Sequence, residues 1–244
     1  RRNAGLAAPN PAVGAILARP GADGRPVVVG RGWTARGGRP HAEHVALVDA
    51  GAAARGATCY VTLEPCSHHG MTPPCIDGLI AAGVARVVTA IEDPNPAVAG
   101  RGHAALRAAG IAVETGVLAD EARRAHAGHI RRMVDGRPHV RLKMAVSADG
   151  FIGRAGAGQV PISGPGSRRE AHLLRAVSDA ILVGIDTVAA DDPLLTCRLP
   201  GLSDRSPVRI VLDARLETPP GCRLLGTLDE APVWIVAGAP ADAG

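Results

Sequence analysis

His41-Ala42-Glu43, followed by Pro65-Cys66 and then by Cys75, is the stretch on which the reading of the fold turns. These residues supply one imidazole, two thiolates and one carboxylate. An imidazole and two thiolates give a tetrahedral Zn²⁺ three protein ligands, and the fourth position stays open for water. Structural zinc sites close all four positions, so the count predicts a catalytic centre. Zinc lowers the pKa of its water to about 7. Glu43 is then free to shuttle protons without binding the metal. Two blander readings compete. A Cys66–Cys75 disulfide is one, but five cysteines is an odd count and nothing suggests secretion. The other is plain packing, which suits Cys59 in the apolar run Ala57-Thr58-Cys59-Tyr60-Val61.

Working outward, the Gly-rich connection Gly37-Gly38-Arg39-Pro40 delivers His41 to the start of a helix that runs to Gly51. Glu43 falls in its first turn, where the helix dipole favours a carboxylate. His44 projects elsewhere and stays outside the ligand set. Ala57 to Leu63 reads as a buried strand with Glu64-Pro65-Cys66 at its carboxyl end, where open α/β sheets gather their ligand sites. Cys75 opens the next helix, which lowers a thiol pKa. His68 and His69, in the loop between the cysteines, are alternative fourth ligands; three ligands already make the usual catalytic count. The order H-x-E, then P-C and a second Cys, is the signature of zinc-dependent base deaminases. Here Ser67 to Pro74 put eight residues between the cysteines, a variant of the usual spacing.

Upstream, Val13–Leu17 and Val27–Val29, split by Gly21-Ala22-Asp23-Gly24, predict a hairpin. Asn10, in Pro9-Asn10-Pro11, is a turn former or a substrate contact, and spacing alone favours the turn. Downstream, strand 84–91, the turn-rich Glu92-Asp93-Pro94-Asn95-Pro96, a helix over 103–109, strand 111–114 and a helix over 120–133 continue a β-α alternation. That pattern implies a sheet covered by helices on both faces. Asp135-Gly136-Arg137-Pro138 breaks it and sets the expected boundary between domains 1–137 and 138–244.

The second segment opens with an expected strand, 140–146, carrying Lys143, the only lysine in the chain. A lone lysine among arginines suits a role for a compact, titratable ammonium, or is chance. Ile162-Ser163-Gly164-Pro165-Gly166 leads into a helix over 167–177; it is a phosphate cradle or an ordinary cap. Strands 180–183, 208–212 and 233–236 predict a second α/β sheet, with Asp191-Asp192 exposed between the first two.

With 244 residues, 46% hydrophobic and 20% charged, the chain has room for two ordinary cores. No run of 18 apolar residues encodes a membrane span, and Arg1-Arg2-Asn3-Ala4 is no signal peptide. A net charge of +4 with 2% aromatics argues against a nucleic-acid partner and for a phosphorylated small substrate or nucleotide cofactor. Arg123-Arg124 and Arg131-Arg132 read as solvated helix faces.

Longer motifs then narrow the class. Pro9-Asn10-Pro11-x-Val13-Gly14, Leu63 through Gly70 with Thr72-Pro73-Pro74-Cys75, and Glu92-Asp93-Pro94-Asn95-Pro96-x-Val98-Ala99-Gly100-Arg101-Gly102 stand in the first half. Leu142-Lys143, Ser147-x-Asp149-Gly150 and Thr187-Val188-x-Ala190-Asp191-Asp192-Pro193-x-Leu195-Thr196 stand in the second. Over its whole length the chain resembles the bifunctional riboflavin-biosynthesis family, diaminohydroxyphosphoribosylaminopyrimidine deaminase fused to 5-amino-6-(5-phosphoribosylamino)uracil reductase.

The resemblance implies an α/β architecture: a cytidine-deaminase-like three-layer domain, then a dihydrofolate-reductase-like domain. It implies Zn²⁺ on His41, Cys66 and Cys75, Glu43 as the proton carrier, and Asn10 and His68 as substrate contacts. In the second domain it implies NADPH reducing the ribosyl chain, with Lys143 as proton donor. Ala145, Thr187 and Asp191 resemble cofactor contacts; Arg175, Leu195 and Arg198 resemble substrate contacts. A cytoplasmic homo-oligomer acting on a phosphorylated pyrimidine, without nucleic acid or membrane, is the matching expectation. The family more often has a basic residue where Met71 stands, a His at Thr34, a Trp at Pro161 and a Ser at Ala214. Its acidic, glycine-rich segment and last helices do not appear before Gly244, so the second domain reads as incomplete. The rivals are a zinc deaminase of another nucleobase or nucleoside with a non-functional second domain, and a zinc-stapled binding protein without catalysis.

Overall fold

The computed structural model describes residues 3–96, 98–154, 156–158 and 160–238. Arg1 and Arg2, with which the supposed non-signal segment begins, lie outside the described residues, as do positions 239–244. The chain divides into two compact units, Arg1–Val140 and Arg141–Gly244.

In the first unit, β1 (Gly14–Pro20) and β2 (Pro26–Trp33) form the hairpin, antiparallel, with a register shift between Leu17 and Ala18. After α1 (Ala42–Ala50) comes β3 (Thr58–Val61), antiparallel to β1. The chain then alternates through α2 (Cys75–Ala81), β4 (Arg86–Thr89), α3 (Arg101–Ala108) and β5 (Ala112–Thr115). Strands β3, β4 and β5 run parallel, giving the order β2-β1-β3-β4-β5. Crossover helices are what parallel neighbours require. One core gathers Leu17, Ala42, Ala46, Cys59, Val61, Leu79, Val87 and Leu106 between α1, α2, α3 and the sheet. A second joins Leu63, Ala90, Ile91 and Ala122.

Helix α1 lies directly on β2 because that strand presents no side chains there. A Cβ on Gly32 would overlap the Ala42 carbonyl, and one on Gly30 the Ala46 carbonyl. Glycine here permits close backbone approach.

The helix expected over 120–133 is instead two, α4 (Ala119–Ala125) and α5 (Ala127–Asp135). His126 makes the break: its buried ring turns inward to Thr62, with Nε2 3.1 Å from Oγ1. The flanking arginines lie on solvent, as expected, in pairs with Asp120, Glu121 and Asp135.

In the second unit, α6 (Pro165–Ala176) precedes β6 (Ala180–Gly184), α7 (Ile185–Asp191), β7 (Val208–Leu212) and β8 (Val233–Val236). The three strands are parallel, in the order β6-β7-β8. One sheet face packs Val183 and Val211 with Val188, Leu195, Cys222 and Leu224. Cross-strand neighbours Leu182, Ile210 and Trp234 lie on the other, where Trp234 is 59% exposed.

Two expectations fail in this unit. Residues 140–146 form no strand: Val140, Leu142, Met144 and Val146 alternate as a strand should, yet all are exposed and no strand among the described residues pairs with them. Alternation prepares a face, but only a partner completes the hydrogen-bond ladder. Asp191 and Asp192 are half-buried rather than exposed, because Asp192 Oδ1 accepts the Arg223 N–H at 2.8 Å.

No described helix is long and apolar enough to cross a membrane.

Candidate functional site

His41 is the N-cap of α1, in extended conformation (φ −71°, ψ 160°), so its ring leaves the chain just ahead of the first turn. Cys66 follows the carboxyl end of β3, and Cys75 is the first residue of α2. Three elements distant in sequence thus converge. His41 Nδ1 lies 3.3 Å from Cys75 Sγ and 3.6 Å from Cys66 Sγ. The Cys75 backbone N–H donates to Cys66 Sγ at 3.2 Å. All three ligand atoms sit within 4.8 Å of one another.

That spacing fits zinc. Bonds of about 2.3 Å to sulfur and about 2.0 Å to nitrogen, at tetrahedral angles, put N and S roughly 3.5 Å apart. His68 and His69 are both exposed and belong to no such donor cluster among the described residues, so the protein supplies three ligands.

Charge at the site is strongly perturbed. The hydrogen bond from Cys75 holds the Cys66 thiol down at about 4, against burial, with His41 and the Cys75 N–H adding to the effect. The same shared proton, together with burial, pushes Cys75 up. His41 is raised, chiefly by its hydrogen bond with Cys66, while the nearby Arg39 pulls it the other way. Glu43 is buried on the first turn of α1, and burial raises its carboxyl to about 7; its side chain hydrogen-bonds with Cys75. Helix geometry therefore presents an acid/base group, poised near neutrality, beside the ligand atoms.

Asn10 also reaches the site. Its Nδ2 donates to the Gly38 carbonyl at 2.9 Å and lies 3.3 Å from His41 Nε2. Spacing favoured a turn; the structure adds an amide beside the imidazole. His68 stands near Asp93, whose carboxyl is held below the usual range: burial opposes ionisation, and the neighbouring His129 ring, 3.8 Å away, with the Asn95 N–H that donates to Asp93 at 2.9 Å, outweighs it. Thr34 and Met71 differ in kind. The Thr34 hydroxyl is buried, donating to Pro11 O at 2.9 Å and accepting from Val13 N at 3.0 Å. Met71 is 87% exposed.

Sequence reasoning missed Glu64. Buried next to the Pro65-Cys66 pair, its carboxylate accepts backbone N–H groups from Asp93 (3.0 Å), Gly100 (2.9 Å), Gly102 (2.8 Å) and His103 (3.3 Å). It straps the loop after β4 against the Cys66 segment. Gly102 permits the approach, since a Cβ there would overlap Pro65 O. Glu64, Glu92 and His103 also bring their donor atoms within 4.8 Å of one another, but Glu64 is already saturated by amides. The only sequence signal was a Glu ahead of Pro-Cys and a glycine-rich stretch some 35 residues on.

In the second unit, Arg175 Nη1 donates to Thr196 O at 3.0 Å, and Arg198 Nη1 reaches the same carbonyl at 3.5 Å. Two guanidinium groups meet there, with Leu195 buried beside them in a left-handed conformation (φ 57°). Thr187 and Asp191 lie one turn apart on α7. Lys143 is exposed and Ala145 half-buried on the unpaired segment 140–146. No hydrogen bond or ion pair among the described residues joins Lys143 to the arginines or to α7.

Known proteins agree with this division of labour. Residues 1–91 match the family model of the cytidine and deoxycytidylate deaminase zinc-binding region, and residues 138–243 that of the RibD C-terminal domain. Riboflavin biosynthesis protein RibD of Escherichia coli K12 is 48% identical over 223 residues, 87% of this chain and 59% of that protein. Its counterpart in Mycobacterium tuberculosis H37Rv is 45% identical over 222 residues, 88% and 63% of the two chains. The structure of Acinetobacter baumannii RibD (form 1) superposes with a TM-score of 0.86 at 40% identity, over 98% of this chain and 66% of that one. The Thermotoga maritima deaminase/reductase gives 0.86 at 38%, with the same coverage. The chain thus spans about three-fifths of the curated relatives it matches. A cytidine-deaminase-like unit joined to a RibD C-terminal unit, alike in sequence and structure to RibD along nearly its whole length, places this chain in the RibD family of riboflavin-biosynthesis proteins.

Proposed function

We propose that residues 1–137 form a zinc-dependent deaminase domain acting on 2,5-diamino-6-ribosylamino-4(3H)-pyrimidinone 5′-phosphate, and that residues 138–244 belong to an NADPH-dependent reductase domain that converts the ribosyl chain to ribityl. The observation that carries the reading is the meeting of His41 Nδ1, Cys66 Sγ and Cys75 Sγ beside the buried Glu43 carboxyl. His41, Cys66 and Cys75 would hold the zinc, which when bound is a Lewis acid that activates water at neutral pH.

Glu43 does the proton work. With its carboxyl near 7, it takes one proton from the attacking water and gives it to the ring nitrogen, then carries the second, from the newly added hydroxyl, to the departing amine, releasing ammonia. Burial keeps bulk water from competing for that proton. Asn10, His68 and the Asp93 loop line the approach and suit a polar heterocycle.

For the second domain, Arg175 and Arg198 suit the substrate phosphate, while Ala145, Thr187 and Asp191 are the proposed cofactor contacts. The described residues do not close a nicotinamide site around Lys143, so reduction is assigned to the domain and not to a set of side chains. Free cysteines throughout the described residues agree with a reducing, cytoplasmic setting. A homo-oligomer belongs to the same proposal.

Ammonia release from the diaminopyrimidine phosphate, set beside release from cytidine, tests the assignment. Turnover of cytidine alone overturns it in favour of another nucleobase deaminase. Glu43→Gln should keep bound zinc and lower turnover roughly 10²- to 10⁴-fold; an unchanged rate would remove Glu43 as the proton carrier, and a zinc-loaded wild type that releases no ammonia from either compound would leave only a metal-stapled binding protein.

A further inference from the structure

Arg39 stands two residues before His41, extended (φ −145°, ψ 147°), on the connection into α1. Its side chain leans over the loop between the two cysteine ligands: a Cβ built on Gly70 would lie 3.8 Å from Nη2. Nη1 is sealed from solvent and meets no hydrogen-bond partner among the described residues. Burying a guanidinium nitrogen unsatisfied is unfavourable, and proteins seldom leave one so without a use.

The neighbouring carboxylates are already engaged. Glu43 is turned to Cys75, Glu64 is filled by backbone amides, and Asp93 lies 3.8 Å from His129. Met71, at the exposed tip of the same loop, brings no charge. A cation therefore stands beside the loop between the cysteine ligands with no ion-pair partner among the described residues, and its planar fork matches two oxygens of a phosphate.

We propose that Arg39 is the anion-binding residue of this site, receiving the 5′-phosphate of the pyrimidine ribotide and so selecting phosphorylated over dephosphorylated substrate. This rests on the deaminase reading above and adds a residue to it. Arg39 orients substrate and takes no part in proton transfer.

The test uses the zinc-loaded full chain and two charge-removing variants, Arg39→Met and Arg39→Gln, with Arg39→Lys as a conservative control. With the phosphorylated pyrimidine, loss of charge should raise KM roughly ten- to hundredfold while kcat stays within about twofold. With the dephosphorylated compound neither constant should move, and Arg39→Lys should recover part of the loss. An unchanged KM for the phosphorylated substrate, or an equal change for both substrates, overturns the proposal. Ribose 5-phosphate binding, followed by calorimetry, separates the two layers of inference. Wild type should bind it and the charge-removing variants should lose at least about tenfold in affinity. If wild type releases no ammonia yet shows this Arg39-dependent binding, the deaminase reading fails and the anion site stands. If wild type is active but binds no ribose 5-phosphate, or the variants bind it equally well, the Arg39 assignment fails alone. Zinc content measured on each variant ensures that a lost metal is not mistaken for a lost anion contact.

Discussion

His126 shows how one side chain ties stability to pH. Burial pushes its pKa down from 6.5 to about 4, so the folded ring stays neutral where the unfolded one titrates. Between those values the unfolded chain binds a proton that the folded chain does not. Stability therefore falls as pH drops from about 6.5 towards about 4, and the loss is complete below that window, on the order of 3 kcal/mol. Urea denaturation at pH 7 and pH 5 should show the slope in wild type and a flatter one in His126→Asn; equal slopes would remove His126 as the cause. This effect was not readable beforehand, because the burial of His126 depends on Thr62, which arrives from another element. Ligand types behave differently. Zinc chemistry is intrinsic to imidazole and thiolate, so His41, Cys66 and Cys75 could be named before any geometry. Glu64 could not, since its role consists of accepting amides from residues 29 to 39 positions away.

Among the elements, the seat of α1 on β2 matters most, for it sets where His41 and Glu43 emerge. Gly32→Ala would drive a methyl group into the Ala42 carbonyl, which is backbone and has no rotamer to yield. The expected result is a loss of about 1–3 kcal/mol, as for other overpacked sites, together with a fall in deaminase turnover as the first turn of α1 shifts. Thermal unfolding and ammonia release on the same variant check it; an unchanged melting point would mean the helix has room to slide. Strand and helix periods were legible here: the hairpin, β7 and β8 fall where alternation put them. The failures share a cause. Residues 140–146 have a strand's pattern without a partner, and residues 120–133 have a helix's pattern interrupted by an inward histidine. In both, local sequence was consistent and a tertiary contact, absent or present, decided the outcome.

At the scale of the molecule, the two units keep separate cores, one around Leu17, Leu79 and Val87 and the other around Val188, Val211 and Leu224. Metal bound only by the folded first unit should stabilise that unit through mass action and leave the second untouched. Calorimetry with and without a strong chelator should show one transition moving to lower temperature, by several degrees, with ammonia release abolished and restored by added zinc. A chelator that moved neither transition would argue against a tightly held ion. The fold class was legible because three-ligand spacing and β-α alternation point the same way. The unpaired start of the second unit was not, since pairing is a property of neighbours. The two tryptophans, Trp33 at the end of β2 and the exposed Trp234 in β8, fall one in each unit. Replacing either indole by phenylalanine would leave a single tryptophan, which, excited at wavelengths that the one tyrosine, Tyr60, does not absorb, lets an experimenter watch one half of the chain melt in silence from the other.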